Sequence, residues 1–177
     1  LQIRDLEGRS LPAGDVGEVT VKCPNVMVGY WNKPAETKAV LDAEGWYRTG
    51  DLGYVDGEGY LFLVDRSKDM IVSGGENVYC TEVEDAIYTH PQVLEATVFG
   101  VPDDQWGEAV HAVVVPREGS ALTEAELIAH CRTRIAGYKV PKSVGFQSEP
   151  LPKSGPGKVL KRNLRAPFWE GRDRQIN

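Results

Sequence analysis

The chain has 177 residues, 41% hydrophobic and 26% charged, which is the balance of a folded globular protein and leaves room for one ordinary domain or two small ones. A net charge of −6 argues against a nucleic-acid binder, whose phosphate contacts need a basic face, but permits a local basic pocket for a small phosphorylated ligand. No apolar run approaches a membrane span, and the N-terminus LQIRDLEGRS carries charges where a signal peptide would be apolar. Cys23, Cys80 and Cys131 lie far apart with no CxxC pair, so zinc is not expected, and buried thiols in a reducing cytoplasm are the default reading. His90, His111 and His130 are equally scattered and read as structural or surface residues.

The chain opens abruptly. Leu1-Gln2-Ile3-Arg4 reads as the middle of a strand, with Asp5 to Arg9 as its turn. Leu11 to Gly17 is a tight connection, and Glu18 to Cys23 alternates as a strand does. A short helix is expected after Pro34, ending near Asp42 to Gly45. Trp46 to Gly53 follows, with Gly50-Asp51 as a turn at a strand end, then a second strand and turn over Tyr54 to Gly59. Residues 1–64 are thus mostly β. They hold too few strands to close a barrel or sandwich unaided, so they are expected to be the last piece of a larger domain.

Tyr60 to Asn77 divides the chain. Tyr60 to Val64 reads as a strand, Asp65 to Asp69 places four charges in five residues, and Met70-Ile71-Val72 is a short apolar beat before the turn Ser73-Gly74-Gly75-Glu76-Asn77. Locally this fits a surface hairpin as well as a hinge between domains. The change of pattern on either side favours the hinge. Beyond it, Thr81 is placed as a helix N-cap with Glu84 as its capping-box partner. Val93 to Val101 reads as a strand, and Ala109 to Val115 as a valine-rich strand buried on both faces. Thr123 to Glu126 caps a second helix carrying Leu127, Ile128, Cys131 and Ile135 on one face, ended by Gly137. Val144 to Phe146 is a short strand, and a basic helix starts at Val159. Residues 65–177 are expected to form a small α+β domain able to fold alone.

Three stretches carry chemistry. In Tyr47-Arg48-Thr49-Gly50-Asp51 the aspartate can accept two hydroxyl hydrogen bonds, as a ribose requires. In Asp65-Arg66-Ser67-Lys68 the arginine can reach a ribose or phosphate, or merely pair with Asp69 on the surface. In Leu151 to Arg162, two glycines and a proline hold a loop from which Lys158 emerges, a point charge suited to a developing negative charge. Lys153, Lys161 and Arg162 read as a solvated basic surface.

Taken in this order, GEVTVKCPNVMVGYWNKPAET, GWYRTGDLG, GYLFLVDRSKDMIVSGGENVYCTEVE, VFGVPDDQWGE and LPKSGPGKVLKR resemble the adenylate-forming enzymes: acyl-CoA synthetases, peptide-synthetase adenylation domains and firefly luciferase. The acyl-CoA synthetase branch is most similar, through GYWNKPAET, SGGEN and VPDDQWGE. The resemblance implies an α+β chain: residues 1–64 end the β-rich, distorted-barrel part of a large N-terminal domain, and residues 65–177 form a small mobile C-terminal domain with its hinge at 65–66. It implies a two-step reaction. A carboxylate attacks the α-phosphate of ATP to give an acyl-adenylate and pyrophosphate, and coenzyme A then displaces AMP to form a thioester. Mg²⁺ is expected to be held mainly by the missing N-terminal domain.

Carried over by position, the resemblance implies that Asp51 binds the ribose hydroxyls with Arg66 assisting, that Leu63 lies beside the nucleotide and that Asp65 is the hinge. Lys158 bridges carboxylate and phosphate in the first step only. Ser73, Gly74 and Gly75 line the pantetheine tunnel in the second. Cys80 stands where the families often have proline, and Pro156 where they have a small hydroxyl residue. The family's phosphate loop, carboxylate pocket and aromatic-threonine-glutamate motif are not in this sequence. The chain is therefore expected to be the C-terminal third of an ATP-dependent acyl-CoA ligase for a fatty or aromatic acid, inactive by itself. Two rivals are an adenylation domain that loads a carrier protein's phosphopantetheine and a non-catalytic interaction module.

Overall fold

A computed structural model describes residues 1–172, which form two compact units divided between Lys68 and Asp69. Residues 173–177, the end of the second expected domain, lie outside the described residues. The described residues are α+β.

The first unit is an antiparallel meander of β1 (Gln2–Arg4), β2 (Gly17–Val21), β3 (Tyr47–Val55) and β4 (Leu61–Arg66), with α1 (Pro34–Val40) between β2 and β3. The sheet is open, with β1 and β4 at its edges. Pro34 stands at the start of α1, where its missing N–H costs nothing. Buried side chains in this unit are few: Ile3, Val19, Thr20 and Leu52. Tyr60, Leu61, Phe62 and Leu63, which succeed one another and so point to alternate faces, are all exposed. Two expectations shift here. Gly50-Asp51 is not a turn at a strand end but lies within β3, where register slips between Leu52 and Gly53 accommodate it. Asp65 and Arg66, read as part of a charged break, continue β4 opposite Leu52 and Asp51.

The second unit is a five-stranded sheet with helices. It runs β5 (Ile71–Ser73), β6 (Glu76–Val78), α2 (Cys80–Tyr88), β7 (Val93–Asp103), β8 (Gly107–Pro116), α3 (Glu124–Arg132), β9 (Ser143–Phe146) and α4 (Lys161–Arg165). β8 is central. It pairs with β7 along one edge, and with β5 at Gly107 and the parallel β9 at His111 to Val114 along the other. Every residue from Glu108 to Val115 is buried, as the valine run predicts.

The two faces of this sheet have separate cores. Val98, Val110, Ala112 and Val114 pack with Val83 and Ile87 of α2, Leu127 and Cys131 of α3, and Ile71 and Val78 of the β5–β6 hairpin. Phe99, Val101, Ala109, Val113 and Val115 face the other way, onto Leu151, Val159 and Leu164. α2 and α3 thus cover one face, and the segment bearing Lys158, with α4, covers the other.

The capping box of α3 forms as read: Thr123 Oγ1 accepts from the Glu126 amide at 3.3 Å, and Glu126 accepts from the Thr123 amide at 2.9 Å. Thr81 does not cap α2. The helix begins one residue earlier, at Cys80, with Tyr79 as a cap lacking a side-chain bond. Glu84 turns instead to the sheet, where it accepts from Val98 N at 2.8 Å and Thr97 Oγ1 at 3.1 Å.

Candidate functional site

In the first unit, Asp51 and Arg66 are direct cross-strand partners, and Arg66 Nε lies 3.7 Å from Asp51 Oδ1. Their side chains are 41% and 58% exposed, so the pair faces solvent. The backbone beneath is pinned. The Asp51 amide donates to Thr49 Oγ1 at 3.1 Å, and that hydroxyl donates to the Val19 carbonyl at 2.8 Å. The Gly50 amide donates to Glu18 Oε1 at 3.2 Å, and the Gly50 carbonyl accepts from Ser67 N at 2.9 Å. Arg48 pairs with the same Glu18 carboxylate. Glu18 therefore organises the glycine-aspartate segment from a neighbouring strand, a long-range role no local pattern signals.

A carboxylate so placed touches Arg66 at ion-pair distance through one oxygen and keeps lone pairs for vicinal hydroxyls. Tyr47 and Tyr30 stand nearby: a hydrogen bond to Tyr30, then burial, then the charges of Tyr30 and Asp51 raise the Tyr47 phenol, which stays protonated. Leu63 sits opposite Gly53 and is 63% exposed, an apolar surface on the adjoining strand. The Asp65 carboxylate folds back on its own strand and accepts from the Arg66 amide at 2.7 Å.

In the second unit, Lys158 rides on a small hairpin. Lys153 and Val159 form its bridge, Ser154 N donates to the Lys158 carbonyl at 2.7 Å, and Gly157 N donates to the Ser154 carbonyl at 2.8 Å. The Lys158 amide donates to Ser154 Oγ at 3.2 Å. Its main chain is thus fixed while its side chain is exposed and forms no ion pair with the described residues. Leu151 and Val159 root the hairpin in the second core. Two lysines read as solvated are structural. Lys153 pairs with Glu95, which also accepts from the Leu151 amide at 2.8 Å, and these bonds draw the Glu95 carboxyl below its ordinary range. Lys161 pairs with Glu84 at 2.9 Å.

Ser73, Gly74, Gly75 and Glu76 form the turn of the β5–β6 hairpin, with Ser73 opposite Glu76. Gly74 and Gly75 have φ of +60° and +85°, the two consecutive left-handed residues of a type I′ turn. A Cβ on Gly74 would meet the Trp106 ring at 2.7 Å, and the Gly74 amide donates to the Trp106 carbonyl at 2.9 Å. Trp106 itself is held by Asp103, whose carboxylate accepts from its amide at 2.8 Å. Beneath, the buried Glu108 accepts from Val72 N at 3.0 Å. Gly100 makes room for that carboxylate, since a Cβ there would lie 2.9 Å from Glu108 Oε2. The expected residues are therefore gathered as two sets within their own units: Asp51, Leu63, Asp65 and Arg66 on one β-ladder, and Ser73 to Gly75 with the Lys158 hairpin on the other unit. Among the described residues no three His, Cys, Asp or Glu side chains converge as a metal cage.

The fold and this arrangement match a known class. Residues 82–158 match the AMP-binding enzyme C-terminal domain, the match closing on Lys158 itself. The chain is 53% identical over 161 residues to a feruloyl-CoA synthase of Amycolatopsis sp, covering 91% of this chain and 32% of that protein. It is 52% identical over 148 residues to a long-chain-fatty-acid–CoA ligase of Bacillus subtilis, covering 84% and 26%. The ATP-bound crystal structure of MatB from Rhodopseudomonas palustris superposes with a TM-score of 0.89 at 39% identity, covering 97% of this chain and 34% of that one. The chain belongs to the adenylate-forming enzymes, with acyl-CoA ligases and synthetases as its relatives, and spans about a third of the length of the relatives it matches.

Proposed function

We propose that the protein to which this chain belongs is an ATP-dependent acyl-CoA ligase. A carboxylate oxygen attacks the α-phosphorus of ATP and expels pyrophosphate. The CoA thiol, losing its proton, then attacks the acyl carbon and expels AMP. Asp51 accepts the ribose hydroxyls, Arg66 holds that carboxylate and Leu63 lies against the nucleotide. Lys158 neutralises charge between the acid and the α-phosphate in the first step. Ser73, Gly74 and Gly75 lie along the pantetheine arm in the second, with Asp65 as the pivot between arrangements. The observation that carries the reading is the exposed Asp51–Arg66 pair, fixed from below by Thr49 and Glu18, in a chain whose relatives are named as CoA ligases. The acid is aromatic or fatty, as the two named relatives differ in that respect.

The remainder of the enzyme is its main partner. The first unit buries little, and β4 shows apolar side chains on both faces at a sheet edge. A four-stranded sheet so thinly covered gains too little to hold its order alone. We propose that the two-thirds of a relative's length not spanned here covers it. The test is acid-dependent exchange of pyrophosphate into ATP by the enzyme comprising this chain and its upstream portion. Exchange with a phenylpropenoic or long-chain acid is expected. None across a panel of both classes would overturn the reading.

A further inference from the structure

Glu95 belongs to neither core of the second unit, yet it grips the segment that carries Lys158. β7 holds a bulge: its register against β8 slips between Val93 and Glu95. In an unbroken strand these two side chains would point the same way. Here Val93 shares the first core with Ala96 and Val98, while Glu95 takes the face of Phe99 and Val101, the one covered by the Lys158 hairpin. The bulge re-aims this one carboxylate.

Both of its oxygens turn to that hairpin. Oε2 accepts from the Leu151 amide at 2.8 Å, and Oε1 accepts from Lys153 Nζ. Lys153 is bridged to Val159, the residue after Lys158, and Leu160 N donates to the Pro152 carbonyl at 2.7 Å. One acid thus holds the incoming limb by its main chain and by a side chain, and the backbone bonds between the limbs carry that hold to Lys158. Leu151 and Val159 fix how deep the hairpin sits, but apolar contact has no direction. The charge-assisted bonds to Glu95 are directional and set the angle at its base.

We infer that Glu95 is a positioning residue for the first half-reaction and acts through Lys158. This rests on the ligase reading, in which the Lys158 ammonium must meet the acid and the α-phosphate together. A tilt at the base of the hairpin travels along the exposed side chain to that ammonium. Misplacing a reacting group by about 1 Å costs as much as roughly a hundredfold in rate. Neither bond of Glu95 goes to the Ser73 to Gly75 turn, so the second half-reaction is spared.

The complete enzyme is assayed for acyl-adenylate formation and, separately, for thioester formation from supplied acyl-adenylate. Glu95→Ala should lower the maximal rate of the first about tenfold, with KM for ATP and acid little changed, and leave the second within about twofold. Lys153→Met, which keeps the bond to the Leu151 amide, should lower the first by a smaller factor. In a Lys158→Ala background Glu95→Ala should remove nothing further from the residual rate, because its effect passes through that lysine. Hydrogen exchange of the peptide spanning residues 151–160, read by mass spectrometry without substrates, should quicken in Glu95→Ala. Equal loss in both half-reactions, as a merely less stable enzyme would show, an unaffected Lys153→Met enzyme, an added loss in the Lys158→Ala background, or unchanged exchange would each overturn the proposal. A wild-type enzyme that forms no acyl-adenylate from either class of acid would instead overturn the ligase reading, and this proposal with it.

Discussion

Lys161 Nζ lies 2.9 Å from Glu84 Oε1, the same oxygen that accepts from Val98 N and Thr97 Oγ1. One carboxylate thus joins α2, β7 and α4, and both ends of the pair are only 19% exposed. Glu84→Ala strips a partner from an amide, a hydroxyl and an ammonium together and should cost about 2–4 kcal/mol in denaturant unfolding. Lys161→Met leaves the Glu84 bonds to Val98 and Thr97 and should cost less. Burial alone would lower the Lys161 ammonium, but Cys80, Glu84 and Asp69 together hold it above the ordinary 10.5. Its stabilisation is full below that value and fades as pH rises through the folded one. Lys161→Met should therefore flatten the loss of stability in strong alkali. An unchanged alkaline slope would refute the pairing.

Gly74 combines a left-handed backbone with a Trp106 ring that occupies the space a Cβ would need. Gly74→Ala should destabilise the second unit by about 1–3 kcal/mol. In a Trp106→Ala background the steric part disappears and only the backbone strain remains, so the same substitution should cost measurably less. Equal costs in both backgrounds would show that the ring does not limit this turn.

How much of this was legible can be judged from two capping patterns. Thr123 and Glu126 satisfy each other locally, because the pattern and the helix start coincide. Thr81 and Glu84 show the same spacing, but α2 starts at Cys80 and the Val98 amide, reached only through the tertiary fold, claims Glu84. Lys153 and Lys161 misled for the same reason: their partners, Glu95 and Glu84, lie far away in the chain. The Gly74-Gly75 turn and the valine-rich β8 were readable, since glycine geometry and continuous hydrophobicity are local properties. Glu18 beneath Gly50 and the extension of β4 through Arg66 were not, since strand partners decide both.

His111 is buried among Phe99, Phe168 and Ser143, whose Oγ is 2.7 Å from Nδ1. Burial lowers its pKa from 6.5, with Glu124 opposing. A depressed folded value means that the unfolded chain binds the proton first, so stability is full above 6.5 and falls as pH drops below it. His130 moves the same way, through burial and then the charges of Arg134 and His90. His111→Phe should reduce, and the further change His130→Gln should reduce again, the slope of melting temperature against pH on the acid side of neutrality. Parallel profiles for wild type and variants would contradict this assignment.

Asp65 continues β4 opposite Leu52 and bonds to the Arg66 amide. If this residue is the pivot, Asp65→Pro, which fixes φ and removes an N–H, should slow thioester formation at least about tenfold in the complete enzyme and leave adenylation nearly intact. Unchanged rates in both half-reactions would place the pivot elsewhere.

The most direct test concerns Lys158, fixed at its backbone by Ser154 and exposed at its ammonium. In the complete enzyme, Lys158→Ala should be assayed separately for acyl-adenylate formation and for thioester formation from supplied acyl-adenylate. Loss of the first by about a hundredfold or more, with the second retained, is the predicted result. Equal loss of both would contradict the assignment of this lysine to the first step.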